Sequence, residues 1–397
     1  MKRAFDIIVV GAGPAGSCAA KELAASGLSV AIVEKNISPG TKPCAGGLVL
    51  RGLKHLSGPV LTSVQRQCYK TQVNIFPRGL CFETKKPDPI IAMVMRKDFD
   101  RLLLREASSA GALLITGHKV RDIRAEGGRI VVITDADTLT GDFLIGADGA
   151  LSVVARKTGL CGQVNLVPAV ECELEVSDEL FAHFSDRARF DLGFVPQGYG
   201  WVFPKKSHLS VGVGRLRKGR FNLAKYLDSY MSFLGLGKSR VLDKRASVIS
   251  LWAGKEKFAK GHILLTGDAA GLADPLTAEG ISNAMVSGRL AAKAIMETQT
   301  GRISDVAGHY QFLLARNILK DIRLASKVAH WIYDHPRFMQ TIFTVYGERV
   351  CEAMMEIMSG QASYLSILAN PTTYLRPFRL GGRLTRRSKI DKRGPFG

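Results

Sequence analysis

Asp6-Ile7-Ile8-Val9-Val10-Gly11-Ala12-Gly13-Pro14-Ala15-Gly16 is the stretch that decides the fold. Its first half is a short apolar run, which is typical of a buried parallel strand. The glycines that follow permit a tight turn and a close approach of the backbone to a pyrophosphate. Residues 17–26 then read as a helix, whose free N–H groups at the N-terminus would face the phosphates. The stretch therefore predicts a Rossmann-like α/β domain that binds a dinucleotide.

The next strand supports the same interpretation. Residues 29–33 form a second strand that ends at Glu34, an acid at the distance from the glycines that suits ribose hydroxyls. A glycine-rich turn without a ligand is disfavoured, because strand, turn, helix, strand and acid all occur in order. We expect this part of the site to comprise Gly11, Gly13, Pro14, Ala15, Gly16, Glu34 and Lys35.

Two later segments each follow an apolar strand in the same way. Gly146-Ala147-Asp148-Gly149 follows residues 142–145, and Thr266-Gly267-Asp268-Ala269-Ala270-Gly271 follows residues 262–265. Asp148 taken alone suits an ordinary turn. Asp268 is suited both to capping the helix predicted over 278–296 and to binding a ribityl hydroxyl, and the two roles are compatible. Three such segments in this order predict an FAD-dependent oxidoreductase.

The three motifs resemble those of the flavoprotein hydroxylase superfamily, which has the glutathione-reductase type of FAD domain. The resemblance implies that Arg96, in Met95-Arg96-Lys97-Asp98, contacts FAD from the start of a helix. A solvated charge at a helix start is the alternative for Arg96, and the sequence leaves both open. The remaining cofactor contacts that the resemblance implies are Val120, Asp148, Gly149, Gly267, Asp268, Gly280 and Ile281.

Three further stretches are similar to motifs of the geranylgeranyl reductases. Residues 42–48 contain Pro-Cys-Ala-Gly-Gly, residues 198–205 contain Tyr-x-Trp-x-Phe-Pro, and residues 274–281 read Asp-Pro-Leu-Thr-Ala-Glu-Gly-Ile. The resemblance implies an enzyme that saturates isolated double bonds of geranylgeranyl-type isoprenoid chains, carried on a diphosphate, a lipid or a larger molecule.

The same stretches add cofactor contacts and also depart from the family pattern. Cys44, Ala45 and Gly46 would lie beside the FAD. Ala45 and Ala278 stand where glycine is expected, and Asn283 stands where an aromatic residue is common. These departures concern the substrate or the position of reduction and leave the cofactor unchanged.

Tyr199, Trp201 and Phe203 alternate along a predicted strand, so their side chains share one face. Residues 208–214 would return as the second strand of a hairpin. Beside a flavin this face would form a wall for a long apolar ligand, and an ordinary packed sheet core is the alternative. Protonation of a trisubstituted alkene gives a tertiary cation, which Tyr199 and Trp201 would stabilise by cation–π attraction. The expected substrate contacts are Gly47, Tyr199, Trp201, Phe203 and Pro275.

Cys44 is the third candidate catalytic residue, together with Tyr199 and Trp201. A lone cysteine is more often a small buried apolar residue than a catalyst. This one, however, lies in a glycine-rich loop directly after the ribose-binding strand, and such loops commonly carry function. We therefore expect Cys44 close to the active site, whereas proton delivery by its own thiol is disfavoured.

The composition indicates a cytoplasmic protein, with peripheral membrane contact as a further expectation. The 397 residues carry a formal net charge of +20, without a motif for nucleic acid. No apolar run approaches the roughly 20 residues of a membrane helix. The seven cysteines contain no C-x-x-C pair and suit reduced thiols, and the histidines show no metal spacing. A cluster of cations suits either a solubilising end or a patch attracted to anionic lipid: Arg376, Arg379, Arg383, Arg386, Arg387, Lys389, Lys392 and Arg393.

The chain is expected to interleave its domains. Residues 1–63, 93–162 and 255–300 would form the FAD-binding domain, and residues 64–92 and 163–254 an antiparallel substrate sheet, followed by a helical region at 301–370 and a basic tail at 371–397. No second glycine-rich nucleotide motif follows another strand, so electrons would come from transiently bound NADPH or a ferredoxin-like donor protein. A flavin monooxygenase or halogenase, and a prenyl-binding escort protein, remain alternatives.

Overall fold

Strands make up the framework around which the rest of the chain packs. The computed structural model describes residues 2–40, 42–56, 58–160, 162, 164–254 and 257–369. The strands in this part of the chain are β1 (Lys2–Val10), β2 (Val30–Glu34), β3 (Gly47–Val49), β4 (Val64–Cys68), β5 (Lys70–Ile75), β6 (Leu80–Lys85), β7 (Ile91–Val94), β8 (Leu113–Thr116), β9 (Val120–Glu126), β10 (Arg129–Thr134), β11 (Thr138–Gly146), β12 (Val164–Glu175), β13 (Ala188–Leu192), β14 (Gly198–Pro204), β15 (Leu209–Arg215), β16 (Arg240–Trp252), β17 (Ala259–Lys260) and β18 (Ile263–Leu265).

The helices lie around these strands. They are α1 (Pro14–Ala25), α2 (Leu50–Leu53), α3 (Arg96–Ser109), α4 (Val153–Lys157), α5 (Asp178–Phe184), α6 (Leu223–Phe233), α7 (Ile281–Gln299), α8 (Val306–Leu314), α9 (Lys320–Asp334), α10 (Pro336–Ser359) and α11 (Tyr364–Ala369). α1 begins earlier than the sequence predicted, because Pro14 is well suited to the first helical position.

The first sheet carries the glycine motifs at the ends of its parallel strands. Its order is β17-β18-β11-β1-β2-β8, with β10 and β9 added antiparallel beside β11. The four central pairings, from β18 to β8, are parallel. β1, β11 and β18 end directly before Gly11, Ala147 and Thr266. Ligands of open parallel sheets bind beyond the carboxyl ends of the strands, so the three motifs meet where a cofactor is expected.

The second sheet is built almost entirely from antiparallel pairs. Its order is β16-β12-β15-β14-β13-β5-β6, and β13 with β5 is the parallel pair. β14 and β15 form the predicted hairpin. One face packs on α6 through Leu227 and Tyr230. The opposite face packs towards α9 and α10, where Tyr333 and Phe343 lie in the same core.

Smaller elements join the two large sheets. β3, β7 and β4 form a short antiparallel sheet in that order with β7 in the centre. A Cβ on Gly47 would lie 2.8 Å from Cε2 of Phe203, so this sheet lies directly against the aromatic strand β14. The predicted fold class, a Rossmann-like domain with a second sheet and a helical C-terminal region, is confirmed.

The C-terminal helices close the molecule over the second sheet. α10 is interrupted at Tyr346, whose backbone angles (φ −126°, ψ 17°) are not helical. Within the described residues, every helix is too short or too polar to cross a lipid bilayer. The expected basic tail at 371–397 lies outside the described residues.

Candidate active site

Gly11 brings the first two motifs together. Its φ of +107° lies in the region that favours glycine, and a Cβ there would lie 2.3 Å from the carbonyl oxygen of Ala147. The turn that follows is held by Glu34, whose carboxylate accepts hydrogen bonds from the amide of Ala12 (3.0 Å) and from Asn36. Glu34 therefore fixes the glycine turn from the end of β2, at the place expected for a ribose-binding acid.

The N-terminus of α1 is open to a ligand. Gly13 is the residue before the helix and receives no side-chain cap, while Gly13, Pro14 and Ala15 line the central cavity. The free N–H groups of a first helical turn, together with the helix dipole, bind phosphate oxygens. This end of α1 can accordingly hold a pyrophosphate.

The two motif aspartates have different surroundings. Asp148 accepts hydrogen bonds from the Ser152 hydroxyl (2.5 Å) and from the amides of Val153 and Val154, so it secures the start of α4. Burial raises the pKa of its carboxyl group. Asp268 does not cap a helix; it lies in the turn Gly267–Ala269, lines the cavity and forms an ion pair with Lys42.

Arg96 is buried rather than solvated. At the start of α3 its guanidinium forms a bidentate salt bridge with Asp100, with distances of 2.8 and 2.7 Å. The Cys44 thiol lies within hydrogen-bonding reach of the same guanidinium, and Arg96 lines the cavity. The alternative of a solvated helix-start charge for Arg96 is therefore wrong, and its position is compatible with a cofactor contact.

The loop at 44–47 is held against the second sheet by a buried lysine. Nζ of Lys205 donates to the carbonyl oxygens of Ala45 (2.5 Å) and Val94 (3.0 Å), and burial lowers the pKa of this amine. Gly46 adopts a φ of +66°, and a Cβ there would lie 2.0 Å from the carbonyl oxygen of Val94. Cys44 is half-buried, and its sulfur accepts a hydrogen bond from the Gly46 amide (3.5 Å).

A cavity of about 560 Å³ extends from the glycine motifs to the C-terminal helices. At one end it is lined by residues 13–15, 266–268 and 280–281, and at the other by apolar side chains of α9, α10 and α11. Pockets of such volume that combine apolar walls with a few polar groups commonly bind small ligands. The cavity thus joins a nucleotide-binding end to an end suited to a hydrocarbon chain.

The aromatic strand forms one wall of this cavity. The rings of Tyr199 and Trp201 are 6.0 Å apart, and those of Trp201 and Phe203 are 6.4 Å apart, so all three side chains share one face as predicted. Nε1 of Trp201 is buried, and the part of the chain that the structure describes provides no hydrogen-bond acceptor for it. The wall contains ring faces of the kind that attract positive charge.

Tyrosines from three elements hold the loop that links the third motif to α7. The hydroxyl of Tyr199 donates to the carbonyl oxygen of Thr277 (2.6 Å), and that of Tyr333 donates to the carbonyl of Leu276 (2.7 Å). Tyr364 donates to Asp274 (3.0 Å). Ala278, which stands where the family pattern has glycine, adopts a φ of +58° here. This loop explains why α7 begins at Ile281 rather than at 278.

The methionines of α10 both fill the core and line the cavity. Met355 and Met358 are buried in a core cluster, and both line the cavity together with Met354. Unbranched, flexible thioether side chains adapt to irregular ligands, so this surface suits an alkyl chain.

Some predicted site residues lie away from the cavity. Val120 is buried in the core of the first sheet, and Lys35 is exposed just beyond β2. Pro275 is buried in the tyrosine-held loop beside lining residues without lining the cavity itself. The predicted residues that do line it are Gly13, Pro14, Ala15, Cys44, Ala45, Gly46, Gly47, Arg96, Gly149, Tyr199, Trp201, Phe203, Gly267, Asp268, Gly280 and Ile281.

The sequence reasoning missed Glu171 and Lys205. Glu171 of β12 lines the cavity, and Lys205 holds the loop at 44–47 by donating a hydrogen bond to the carbonyl oxygen of Ala45. Lys205 is a charged residue directly after β14, whose other positions are apolar, whereas Glu171 alternates with Glu173 and Glu175 along β12. A charge at the end of an apolar strand is a weak signal for Lys205, whereas the alternating acids of β12 are typical of a solvated strand face and give no signal for Glu171.

Comparison with known proteins agrees with this geometry. Residues 4–184 match the model of an FAD-binding domain family. Over 330 residues the chain is 30% identical to the digeranylgeranylglycerophospholipid reductase of Methanosarcina mazei, covering 75% of this chain and 76% of that protein. Over 323 residues it is 30% identical to the chloroplastic geranylgeranyl diphosphate reductase of Arabidopsis thaliana, covering 76% and 68%. A solved geranylgeranyl bacteriochlorophyll reductase-like structure from Thermoplasma acidophilum superposes with a TM-score of 0.76 at 23% identity, covering 94% of this chain and 96% of that one.

The uncapped start of α1 and the glycine turn beside Glu34 fit FAD, and the fold defines an FAD-dependent oxidoreductase. Within that class, the chain belongs to the geranylgeranyl reductase family.

Proposed function

We propose that the protein saturates isolated double bonds of geranylgeranyl-type isoprenoid chains. The cavity is the observation that carries this proposal, because it runs from the cofactor motifs along the aromatic wall to the methionines of α10. Bound FAD supplies the hydride for such a reduction. The protein has to hold the chain, exclude water and provide a proton, since an isolated alkene has no carbonyl group to stabilise negative charge.

The cofactor contacts are proposed as follows. The start of α1 binds the pyrophosphate, and Glu34 faces the ribose next to the glycine turn. Asp268, now paired with Lys42, provides a carboxylate for the ribityl chain. Arg96 and the loop at 44–47 also line this cavity.

The substrate contacts are proposed along the second sheet. Tyr199, Trp201 and Phe203 form a ring-lined wall on which a tertiary cation would be stabilised by about 1–2 kcal/mol per well-placed ring. The hydroxyl of Tyr199 donates to the carbonyl oxygen of Thr277, and burial raises the pKa of this hydroxyl. The side chain therefore contributes its ring rather than a proton.

A membrane surface is proposed at the outer end of the cavity. Lining residues there are also exposed to solvent, and their side chains are large and apolar: Trp331, Phe338, Tyr346 and Leu368. Exposed apolar patches of this kind are typical of interaction sites. The positive net charge of the chain favours an anionic lipid surface, so a lipid-borne substrate could enter directly from a bilayer.

Electrons are proposed to come from an external donor, either NADPH or a ferredoxin-like protein. The basic surface favours an acidic donor protein through electrostatic steering. Reduction rates measured with NADPH and with reduced ferredoxin, at low and at high salt, separate the two donors.

An anaerobic experiment tests the proposed function. The flavin-loaded protein is reduced, a geranylgeranyl lipid in anionic vesicles or geranylgeranyl diphosphate is added, and flavin reoxidation and product mass are followed. Reoxidation with mass rising in steps of one H2 is expected. Reduced flavin that reacts only once air is admitted, with substrate unchanged until then, would instead identify a monooxygenase.

A further inference from the structure

A carboxylic acid lies in the cavity wall beside the aromatic strand. Glu171 of β12 pairs with Gly212 of β15, which in turn pairs with Trp201 of β14. Directly opposed residues on neighbouring strands project from the same face, and both Glu171 and Trp201 line the cavity. Gly212 contributes no side chain between them, and a Cβ there would lie 2.1 Å from Cζ2 of Trp201. The acid and the indole ring therefore share one section of the wall.

The surroundings of Glu171 raise its pKa, so that part of the population is protonated at neutral pH. It is 8% exposed, and burial followed by the nearby Glu173 raises its pKa to about 7. Lys205, the backbone amide of Cys44 and Arg245 act in the opposite direction. His208 lies 3.0 Å from Glu173 and stabilises that carboxylate as an anion. An acid that ionises near the working pH is well matched to proton transfer.

The other acidic side chains that line the cavity are paired with basic residues. Asp268 is paired with Lys42, and Glu279 lies 3.4 Å from Arg51 while it also accepts the amide of Ser282.

The ammonium group of Lys205 and the hydroxyl group of Tyr199 also lie near the aromatic wall, and both already donate hydrogen bonds to backbone carbonyls. The ammonium of Lys205 donates to two backbone carbonyls and does not line the cavity. The hydroxyl of Tyr199 donates to Thr277. Glu171 is the lining group whose surroundings favour a neutral acid.

We propose that Glu171 is the acid that protonates the alkene, an inference that rests on the proposed function. The O–H bond of its carboxyl group breaks, and the π electrons of the alkene form a C–H bond with that proton. The other alkene carbon receives hydride from reduced FAD, which is oxidised as the C=C bond becomes a single bond. Glu171 remains as a carboxylate beside Trp201 and regains a proton from solvent before the next reduction.

The test compares Glu171→Gln with Glu173→Gln in the flavin-loaded full chain. Gln keeps the size of the side chain and removes the titrating proton. Both variants should bind flavin and be reduced by dithionite as the wild type is. With geranylgeranyl diphosphate under anaerobic conditions, E171Q should slow flavin reoxidation at least a hundredfold and lose the alkaline fall of the pH profile near 7. E173Q should retain that fall and shift it to lower pH, because the charge that raises the Glu171 pKa is gone. Glu171→Asp should recover part of the lost rate.

A second readout needs no turnover. Isotope-edited infrared spectra of the cofactor-free protein should show a protonated carboxyl band that titrates near 7 and is missing in E171Q. A carboxyl that is already ionised at pH 6 would overturn the proposal, as would E171Q that reoxidises its flavin at the wild-type rate.

Cys44→Ala tests the remaining candidate proton donor, the Cys44 thiol, against Glu171. If that variant, rather than E171Q, loses the incorporation of solvent deuterium into the product, the thiol is the acid and the proposal is wrong. Wild-type flavin that is not reoxidised by the isoprenoid overturns the proposed function and this inference with it. Normal wild-type reoxidation with an unimpaired E171Q overturns the inference alone.

Discussion

Single residues decide how closely the loop at 44–47 can approach the rest of the site. Gly46 and Gly79 both have a φ near +65°, but they differ in their surroundings. A Cβ on Gly46 would overlap the Val94 carbonyl, whereas a Cβ on Gly79 would meet nothing within 4 Å. The pair therefore distinguishes backbone strain from steric overlap.

Gly46→Ala should lower the free energy of unfolding by about 3 kcal/mol and weaken flavin binding, because left-handed strain and overpacking add. Gly79→Ala, the matched control, should cost about 1 kcal/mol from strain alone and leave flavin binding unchanged. Urea unfolding and flavin titration measure both quantities. Equal losses in the two variants would show that the Val94 contact does not constrain the loop.

The carboxyl group of Glu171 makes stability depend on pH in a defined direction. Its pKa rises from 4.5 to about 7 on folding, so between these values the folded state binds more protons than the unfolded state. Stability contributed by this group is complete below pH 4.5 and is lost as the pH rises through 7. The group therefore destabilises the folded protein at alkaline pH.

Glu171→Gln should consequently stabilise the protein at pH 8 by about 3 kcal/mol and leave it near the wild-type value at pH 4.5. Urea unfolding of both proteins at several pH values measures the difference. A difference that stays constant across this range would mean that the pKa of Glu171 does not change on folding.

At the scale of elements, a buried polar group joins strands of the second sheet to α6. Asp191 of β13 accepts hydrogen bonds from Asn74 (2.6 Å), Arg189 (2.8 Å) and the Tyr230 hydroxyl. Its neighbours Phe190 and Leu192 line the cavity, so Asp191 projects from the opposite face of the sheet. These hydrogen bonds therefore stabilise the second sheet on the face that points away from the cavity.

Asp191→Ala should lower the free energy of unfolding by about 3 kcal/mol, because it leaves the largely covered Arg189 without its counter-charge. Asp228→Ala removes an exposed ion pair between α6 and Lys244 and should change it by less than about 1 kcal/mol. Chemical denaturation measures both. A small effect of Asp191→Ala would show that water replaces the lost acceptor.

The sequence predicted the elements whose signals are local. The glycine turns and the alternation of Tyr199, Trp201 and Phe203 are contiguous patterns with a fixed structural meaning, and these elements form as predicted. Glu171 and Lys205 escaped prediction because their role depends on pairings between distant strands. Tyr333 and Tyr364, whose hydroxyls donate to the loop at 274–278, lie on helices more than 50 residues further along the chain. These contacts therefore leave no local pattern in the sequence.

At the scale of the whole molecule, the outer end of the cavity presents aromatic side chains to solvent. Trp331 and Phe338 lie on α9 and α10, with ring centroids 5.4 Å apart, and both line the cavity while exposed. Phe312 on α8 is similarly exposed but does not line this cavity. The two surfaces allow a comparison of matched substitutions.

The double variant Trp331→Ser/Phe338→Ser should bind anionic vesicles at least tenfold more weakly than the wild type, since each buried ring contributes over 1 kcal/mol. Phe312→Ser should bind as the wild type does. Vesicle co-sedimentation at low and high salt measures the affinities. Equal binding by all three proteins would contradict an apolar contact with the membrane and leave charge alone as the attraction.

The chain passes repeatedly between its two large sheets, from β2 to β5 and β6, back to β8, and again through β12 to β16 before β18 completes the third motif. Because these crossings interrupt the nucleotide site, no continuous fragment contains all three motifs without also containing the aromatic wall. A continuous fragment that lacks the second sheet therefore also lacks at least one motif and should be colourless. Yellow colour in a cell extract would report the assembly of the complete enzyme, and it offers a direct visual screen for folded variants.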